Sequence, residues 1–211
     1  MIKILITDDH AVVRRGLRQI IGDVSDMVIA GEAENATEML ELLSKQDYSV
    51  LVLDISLPGR SGFDFVSQVK TVSPELPILV YTVHPEDQFA VRMLKAGASG
   101  YLTKDKPPEE LIKAIRKVVS GGRYVSAALG EQLALGLGQD LARLPHETLA
   151  HREFQIMQLI VLGRMTKDIA KELCLSVKTV STYRARALKK MKMKTNSELT
   201  RYAIKHNLLT P

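Results

Sequence analysis

Over its first 120 residues the chain alternates short apolar runs with longer amphipathic stretches, and this alternation constrains the fold more than any other feature. The runs fall at residues 2–7, 28–31, 49–53, 78–81 and 99–102. Several are apolar at successive positions, as strands buried on both faces must be. Between them, apolar residues recur at three- and four-residue spacing, for example Val13, Leu17, Ile20 and Ile21, or Leu111, Ile112, Ile115, Val118 and Val119, which is the signature of helices with one buried face. Asn35-Ala36-Thr37-Glu38 and Ser61-Gly62-Phe63-Asp64 resemble N-capping sequences, and Pro85 and Pro107 sit where a first helical turn tolerates proline. Five strands alternating with helices predict an α/β unit, a (βα)5 doubly wound parallel sheet with helices on both faces.

The pattern changes after Gly121-Gly122. Residues 121–148, with Gly130, Gly136, Gly138 and Pro145, read as a linker that holds one short helix around 127–135. From residue 149 to 211 the periodicity is helical throughout, over about 151–162, 166–173, 177–192 and 196–206, so a small all-α domain is expected to follow the sheet. Charge divides along the same line. Residues 1–120 carry 14 Lys/Arg against 17 Asp/Glu, a net of −3, whereas residues 149–211 carry 13 against 4, a net of +9. A polyanion partner for the second domain alone follows, with nucleic acid the leading candidate. The apolar runs are too short to span a bilayer and no leader-like segment opens the chain, which points to the cytoplasm and to no membrane partner. The single cysteine, Cys174, allows no internal disulfide, fits a reducing compartment, and is expected to be a small packed residue.

In a five-stranded doubly wound sheet, sites form outside the carboxyl ends of the strands. Here Asp8-Asp9 closes strand 1, Asp54 closes strand 3, Thr82 closes strand 4 and Lys104 follows strand 5. Three carboxylates on one rim repel one another unless a cation joins them. Hard oxygen ligands favour Mg²⁺, which keeps several waters and readily takes a phosphate oxygen. Carboxylates that hold such an ion, beside a hydroxyl and an ammonium, are equipped for phosphoryl transfer to an aspartate, with Asp54 the expected acceptor. His10 is expected to shape the site from the start of the first helix. The other histidines, His84, His146, His151 and His206, show no metal-ligand spacing.

These residues carry a resemblance. Asp8-Asp9, Asp54-Ile55-Ser56-Leu57-Pro58-Gly59, Gly62, Thr82, Tyr101 and Lys104 together resemble the receiver domain of response regulators, a flavodoxin-like fold, over residues 1–120. The resemblance implies that Asp9 and Asp54 ligate the metal directly, that Asp8 acts through water, and that the Ser56 backbone carbonyl supplies another oxygen. It also implies that Thr82 and Tyr101 form a switch pair. Asp105 stands after Lys104 where many receivers have proline, so a cis Lys-Pro bond is unavailable.

The second domain is similar to the LuxR-type four-helix domain of NarL/FixJ response regulators. The residues that carry this are Leu149-Ala150-His151-Arg152-Glu153, the helix from Lys167 to Leu173, the turn Cys174-Leu175-Ser176, and the helix opening Val177-Lys178-Thr179-Val180-Ser181-Thr182-Tyr183-Arg184. Ser176 can cap that second helix, and Ile169, Ala170, Leu173, Val180, Ala187, Leu188 and Met191 supply the packing that fixes a helix-turn-helix. Helical spacing places Lys178, Ser181, Thr182, Ala185 and Lys189 on the opposite face. Ser181, Thr182 and Ala185 are expected near base edges, Arg184, Arg186, Lys178, Lys189 and Lys190 on phosphates, and Thr179 completes the expected DNA-binding set. Ala150 stands where relatives cap with Ser or Thr, so Thr148 is expected to serve instead.

The resemblance implies a two-component response regulator and transcription factor. A sensor histidine kinase would phosphorylate Asp54 and so control a homodimer on double-stranded promoter DNA, and the helix at 196–206 would be a dimer contact. The chain's own chemistry would be limited to accepting and slowly losing its phosphoryl group. An aspartate-nucleophile phosphatase of the haloacid dehalogenase kind is the rival enzyme reading. It needs an Asp-x-Asp nucleophile motif, and Asp8-Asp9 lacks that spacing. A DNA-binding regulator indifferent to phosphorylation is the third reading.

Overall fold

The computed structural model describes residues 1–57, 62–136, 145–206 and 208. Pro58, Gly59 and the Ser61 capping position lie outside the described residues, as do 137–144 of the linker. The chain divides into two compact units, Met1–Leu133 and Ala134–Pro211.

In the first unit five strands, β1 (Ile2–Thr7), β2 (Met27–Ala33), β3 (Val50–Leu53), β4 (Ile78–Thr82) and β5 (Gly100–Thr103), form one parallel sheet in the order β2-β1-β3-β4-β5. Five helices alternate with them: α1 (Ala11–Gly22), α2 (Ala36–Lys45), α3 (Gly62–Val72), α4 (Glu86–Ala96) and α5 (Pro108–Val119). The chain therefore reverses its winding between β1 and β3, at the point where the acidic residues emerge. Successive strand residues face opposite sides. Ile4, Ile6, Val50, Val52, Leu79 and Leu102 pack against Leu17 and Ile21 of α1 and Leu111, Ala114, Ile115 and Val118 of α5. Leu5, Leu51, Leu53, Ile78, Val80 and Tyr101, also buried, alternate with these and stand on the other face, where α2 lies against β2 and α4 against β5. Truncating one of these central residues, such as Leu51→Ala, removes about 2–5 kcal/mol of stability.

The helix ends follow local chemistry. Asn35 caps α2 by accepting the Glu38 N–H, and the Glu38 carboxylate returns to the N–H of Glu34, one residue ahead of the cap. Pro85 and Pro107 are the cap residues themselves rather than first-turn residues, and Pro108 occupies the first turn of α5. Gly121, at φ +85°, ends α5 in the left-handed conformation that glycine adopts without steric cost. Helix α6 (Ala127–Gly136) follows at the position expected for a linker helix.

The second unit contains a short 3₁₀ turn (Pro145–Thr148) and helices α7 (His151–Val161), α8 (Thr166–Glu172), α9 (Val177–Lys190) and α10 (Asn196–Lys205). Ile156, Ile160, Ile169, Ala170, Leu173 and Val180 form its core. The α8–α9 turn corrects the expectation for Cys174. This residue is exposed, not packed, with φ +53°. It takes the left-handed position after α8, so that its N–H reaches the Lys171 carbonyl and that of Leu175 reaches Ala170 at 2.8 Å. The backbone reversal turns its side chain outward and tucks Leu175 against the core. Thr148 does not cap α7, because its hydroxyl donates to the Pro145 carbonyl. The N–H of Ala150 is instead taken by the Glu153 carboxylate at 2.8 Å. Among the described residues no helix is long and apolar enough to cross a membrane.

Candidate functional site

The parallel ladder continues one step beyond the strands, and this step positions the acidic rim. The Asp8 N–H donates to Ala33 of β2 (3.1 Å), the Asp54 N–H to Thr7 of β1 (2.9 Å), and the Lys104 N–H to Thr82 of β4 (2.8 Å). Each side chain thus leaves a backbone that is still hydrogen-bonded to its neighbour strand. Asp8, Asp54 and Thr82 are buried, and Asp9 and His10 are exposed.

The Lys104 ammonium lies 2.6 Å from Asp8 Oδ2 and 2.6 Å from Asp54 Oδ2. The remaining oxygen of Asp54 accepts the Ser56 N–H at 3.0 Å, and that of Asp8 accepts the His10 N–H at 2.8 Å. Burial pushes the Asp54 carboxyl up, but Lys104 and the Ser56 N–H outweigh it and hold it below the ordinary carboxylate range. Burial likewise lowers Lys104, and hydrogen bonds to Asp54 and Asp8 more than reverse this, so its ammonium is held above its usual value. The site keeps both signs of charge because each offsets the cost of desolvating the other.

Asp8, Asp9, His10 and Asp54 offer ligand atoms that all lie within 4.8 Å of one another. Clustered carboxylate oxygens at the mouth of a buried rim suit a hard divalent cation. The Thr82 hydroxyl is buried and lies 3.4 Å from Ser56 Oγ. Tyr101 is fully buried on the α4 side of β5, where its hydroxyl donates to the His84 carbonyl at 3.1 Å. That burial pushes its phenol well above the ordinary range. Asp8, Asp9, Asp54, Ser56, Thr82 and Lys104 are thus brought together, with Tyr101 one layer away behind His84.

One contributor went unrecognised in the sequence. Arg14 is buried on the face of α1 that also carries Leu17 and Ile21. Its guanidinium donates to the Asp8 carbonyl at 2.7 Å, is bonded to Glu34 and lies 3.6 Å from Glu32. A charged residue in register with Leu17 and Ile21, and two glutamates in and after β2, were the available signals.

In the second unit, Lys178, Ser181, Thr182, Ala185, Arg186 and Lys189 line one shallow, exposed depression on α9. Opposite them Val180, Ala187 and Leu188 are buried. The other members of the expected DNA set are placed differently. Thr179 belongs to the α9 cap, its N–H donating to Ser176 Oγ and its hydroxyl 2.7 Å from the same oxygen. Arg184 donates from Nε to Asn196 of α10 at 2.7 Å. Lys190 is paired with the buried Glu153 at 2.7 Å. Arg186 lies 5.9 Å from the centre of the Tyr183 ring.

Known proteins resemble both units. The family model for the response regulator receiver domain matches residues 4–116, and that for the luxR family of bacterial regulatory proteins matches residues 147–203. The chain is 35% identical over 210 residues to the response regulator GacA of Pseudomonas aeruginosa, covering 99% of this chain and 98% of the relative. It is 35% identical over 209 residues to the response regulator UvrY of Escherichia coli, covering 99% and 96%. Among solved structures it is similar to RcsB from Salmonella enterica serovar Typhimurium bound to promoter rprA in the presence of the phosphomimetic BeF3⁻. The TM-score is 0.71 at 26% identity, covering 96% of this chain and 98% of that one.

Proposed function

The chain belongs to the response regulators that join a receiver domain to a LuxR-type DNA-binding domain, and on that footing we propose that Asp54 is its phosphoacceptor and α9 its reading helix. It is a transcription regulator of two-component signalling. The finer assignments are ours: residues 1–120 accept the phosphoryl group, 121–148 connect, and 149–211 bind promoter DNA.

The observation that carries the reading is the Lys104 ammonium set between Asp8 and Asp54, 2.6 Å from each. In the proposed transfer an Asp54 carboxylate oxygen attacks phosphorus, the phosphorus–nitrogen bond of a sensor kinase phosphohistidine breaks, and the imidazole leaves with that electron pair. Lys104 follows the negative charge as it moves onto the acyl phosphate, and the Thr82 hydroxyl donates to one of its oxygens. Tyr101 completes the switch. A divalent cation such as Mg²⁺ would be held by Asp9, Asp54 and the Ser56 carbonyl, with Asp8 acting through water, and would offset charge on the transferring group. Self-phosphorylation from a small phosphodonor and slow loss of the group are the only reactions assigned to the chain itself. Lys178, Ser181, Thr182, Ala185, Arg186 and Lys189 would meet DNA, with Thr179 and Arg184 acting through the placement of α9. Phosphorylation would favour a homodimer spanning two half-sites, in the cytoplasm.

The reading is tested by incubating the protein with acetyl phosphate and Mg²⁺ and measuring its intact mass and its affinity for DNA selected from random sequence. The wild type gains one phosphoryl group and binds more tightly, whereas Asp54→Ala gains none. A gain that survives the substitution rejects Asp54 as acceptor, and unchanged DNA affinity after phosphorylation favours a regulator indifferent to it.

A further inference from the structure

The residues after α5 return to the sheet before α6 begins. Tyr124 makes a single parallel bridge with Gly100 at the outer edge of β5. Its N–H donates to the Ser99 carbonyl (3.1 Å), and its carbonyl accepts the N–H of Tyr101 (2.9 Å). Gly100 permits this approach, since a Cβ there would meet Leu79 Cδ1, Tyr124 Cβ and the Tyr124 carbonyl oxygen at 3.0 Å each. The Tyr124 hydroxyl is bonded to Glu110 of α5.

Three residues later the chain starts α6. Ser126 is positioned as its cap, with Oγ accepting the Leu129 N–H at 3.1 Å. A complete capping box would place Glu or Gln at the third helical residue, where its side chain takes the cap residue's own N–H. Leu129 holds that position and cannot do so. The missing acceptor comes from another helix: Glu86, in the first turn of α4, accepts the Ser126 N–H at 3.0 Å. Helix α6 has no acidic residue of its own in its first turn and carries Gly130 in its interior, so its start leans heavily on this cap.

Glu86 lies four residues beyond Thr82. Between them, the His84 carbonyl accepts the Tyr101 hydroxyl at 3.1 Å and the His84 N–H lies 3.4 Å from Thr82 Oγ1. A displacement of Thr82 therefore reaches Glu86 through a short segment, and a shift of about an ångström takes a 3.0 Å bond beyond hydrogen-bonding distance.

We propose that Glu86 caps α6 from outside the helix, and that phosphorylation at Asp54 withdraws this cap and opens the first turn of α6. The device rests on the reading of Asp54 as phosphoacceptor. It makes Glu86 a positioning residue for the connection between the domains.

Hydrogen–deuterium exchange of the full chain, read over residues 123–131 with and without acetyl phosphate and Mg²⁺, tests it, with intact mass recording phosphorylation in the same samples. Phosphorylation is expected to speed exchange there by about fivefold, the size of one lost cap. Glu86→Ala should exchange at the fast rate before phosphorylation while gaining the same phosphoryl mass. Glu86→Gln, which keeps an acceptor oxygen, should remain slow until phosphorylated. A wild type that gains the mass with no change in exchange overturns the proposal, as does Glu86→Ala exchanging as slowly as wild type. A chain that gains no mass overturns the Asp54 reading and the device with it, and the mass record tells this failure from the others.

Discussion

The two units hold charge in opposite ways. On the rim of the sheet, Asp8 and Asp54 are buried and share one ammonium at 2.6 Å, so these two charges have a fixed answer. On α9, Lys178, Arg186 and Lys189 project from an exposed face. Buried charges interact strongly and make sharp geometry at high desolvation cost, whereas exposed ones attract from a distance and yield to salt. The first arrangement suits chemistry on one atom, the second a long polyanion.

Replacing Lys104 with Met should strain this contrast most. It leaves two buried carboxylates facing each other and is expected to cost about 3 kcal/mol of stability. In thermal unfolding, Mg²⁺ should raise the midpoint of Lys104→Met more than that of wild type; equal shifts would mean that the lysine and the ion do not compete for the same oxygens.

The pH dependence follows from the same pair. Asp54 is held below its ordinary value, so its contribution to stability is complete above about pH 4 and is lost as pH falls through the lowered value. Lys104 is held above its ordinary value, so its contribution is complete below about pH 10 and is lost as pH rises through the raised value. Denaturant titrations should show a shallower acid limb for Asp54→Asn than for wild type.

On the basic face, Lys189→Ala should lower the slope of log affinity against log salt by about 1. Lys190→Ala, one residue on, should leave that slope unchanged and instead cost about 1 kcal/mol of stability, because its ammonium is engaged by Glu153. Smallest of all, Cys174→Gly should change stability in the stabilising direction by less than about 1 kcal/mol, since glycine takes the left-handed turn without strain.

What the sequence made legible was whatever depends on chain-local pattern or on the geometry of a parallel sheet. Apolar runs located the strands, and a parallel sheet sends all their carboxyl ends to one edge, so Asp8, Asp9, Asp54, Thr82 and Lys104 could be grouped before any coordinates. The face of α9 was equally open to helical counting. Contacts between elements with no periodic signature stayed hidden. Arg14 drew no notice in the sequence, because its partners, Glu32 of β2 and Glu34 just after it, come beside it only in the fold. Glu86 gave no sign that it serves a helix forty residues away, and Cys174 could not be read as exposed without knowing that the turn inverts the backbone there.

Arg14 also gives the rim unequal stiffness. By gripping the Asp8 carbonyl from beneath, together with the two glutamates, it braces the β1 side of the cluster against α1 and β2. On the β4 side the Thr82 backbone is held by the Lys104 N–H at 2.8 Å, while its hydroxyl meets Ser56 Oγ and the His84 N–H at 3.4 Å each, the loose end of hydrogen-bonding distance. A bulky group on Asp54 would push between a braced backbone and a looser hydroxyl. If Asp54 is the acceptor, the recoil is expected to reach the Thr82 side chain and the start of α4 before it reaches β1, which would turn a local addition into a movement with a direction.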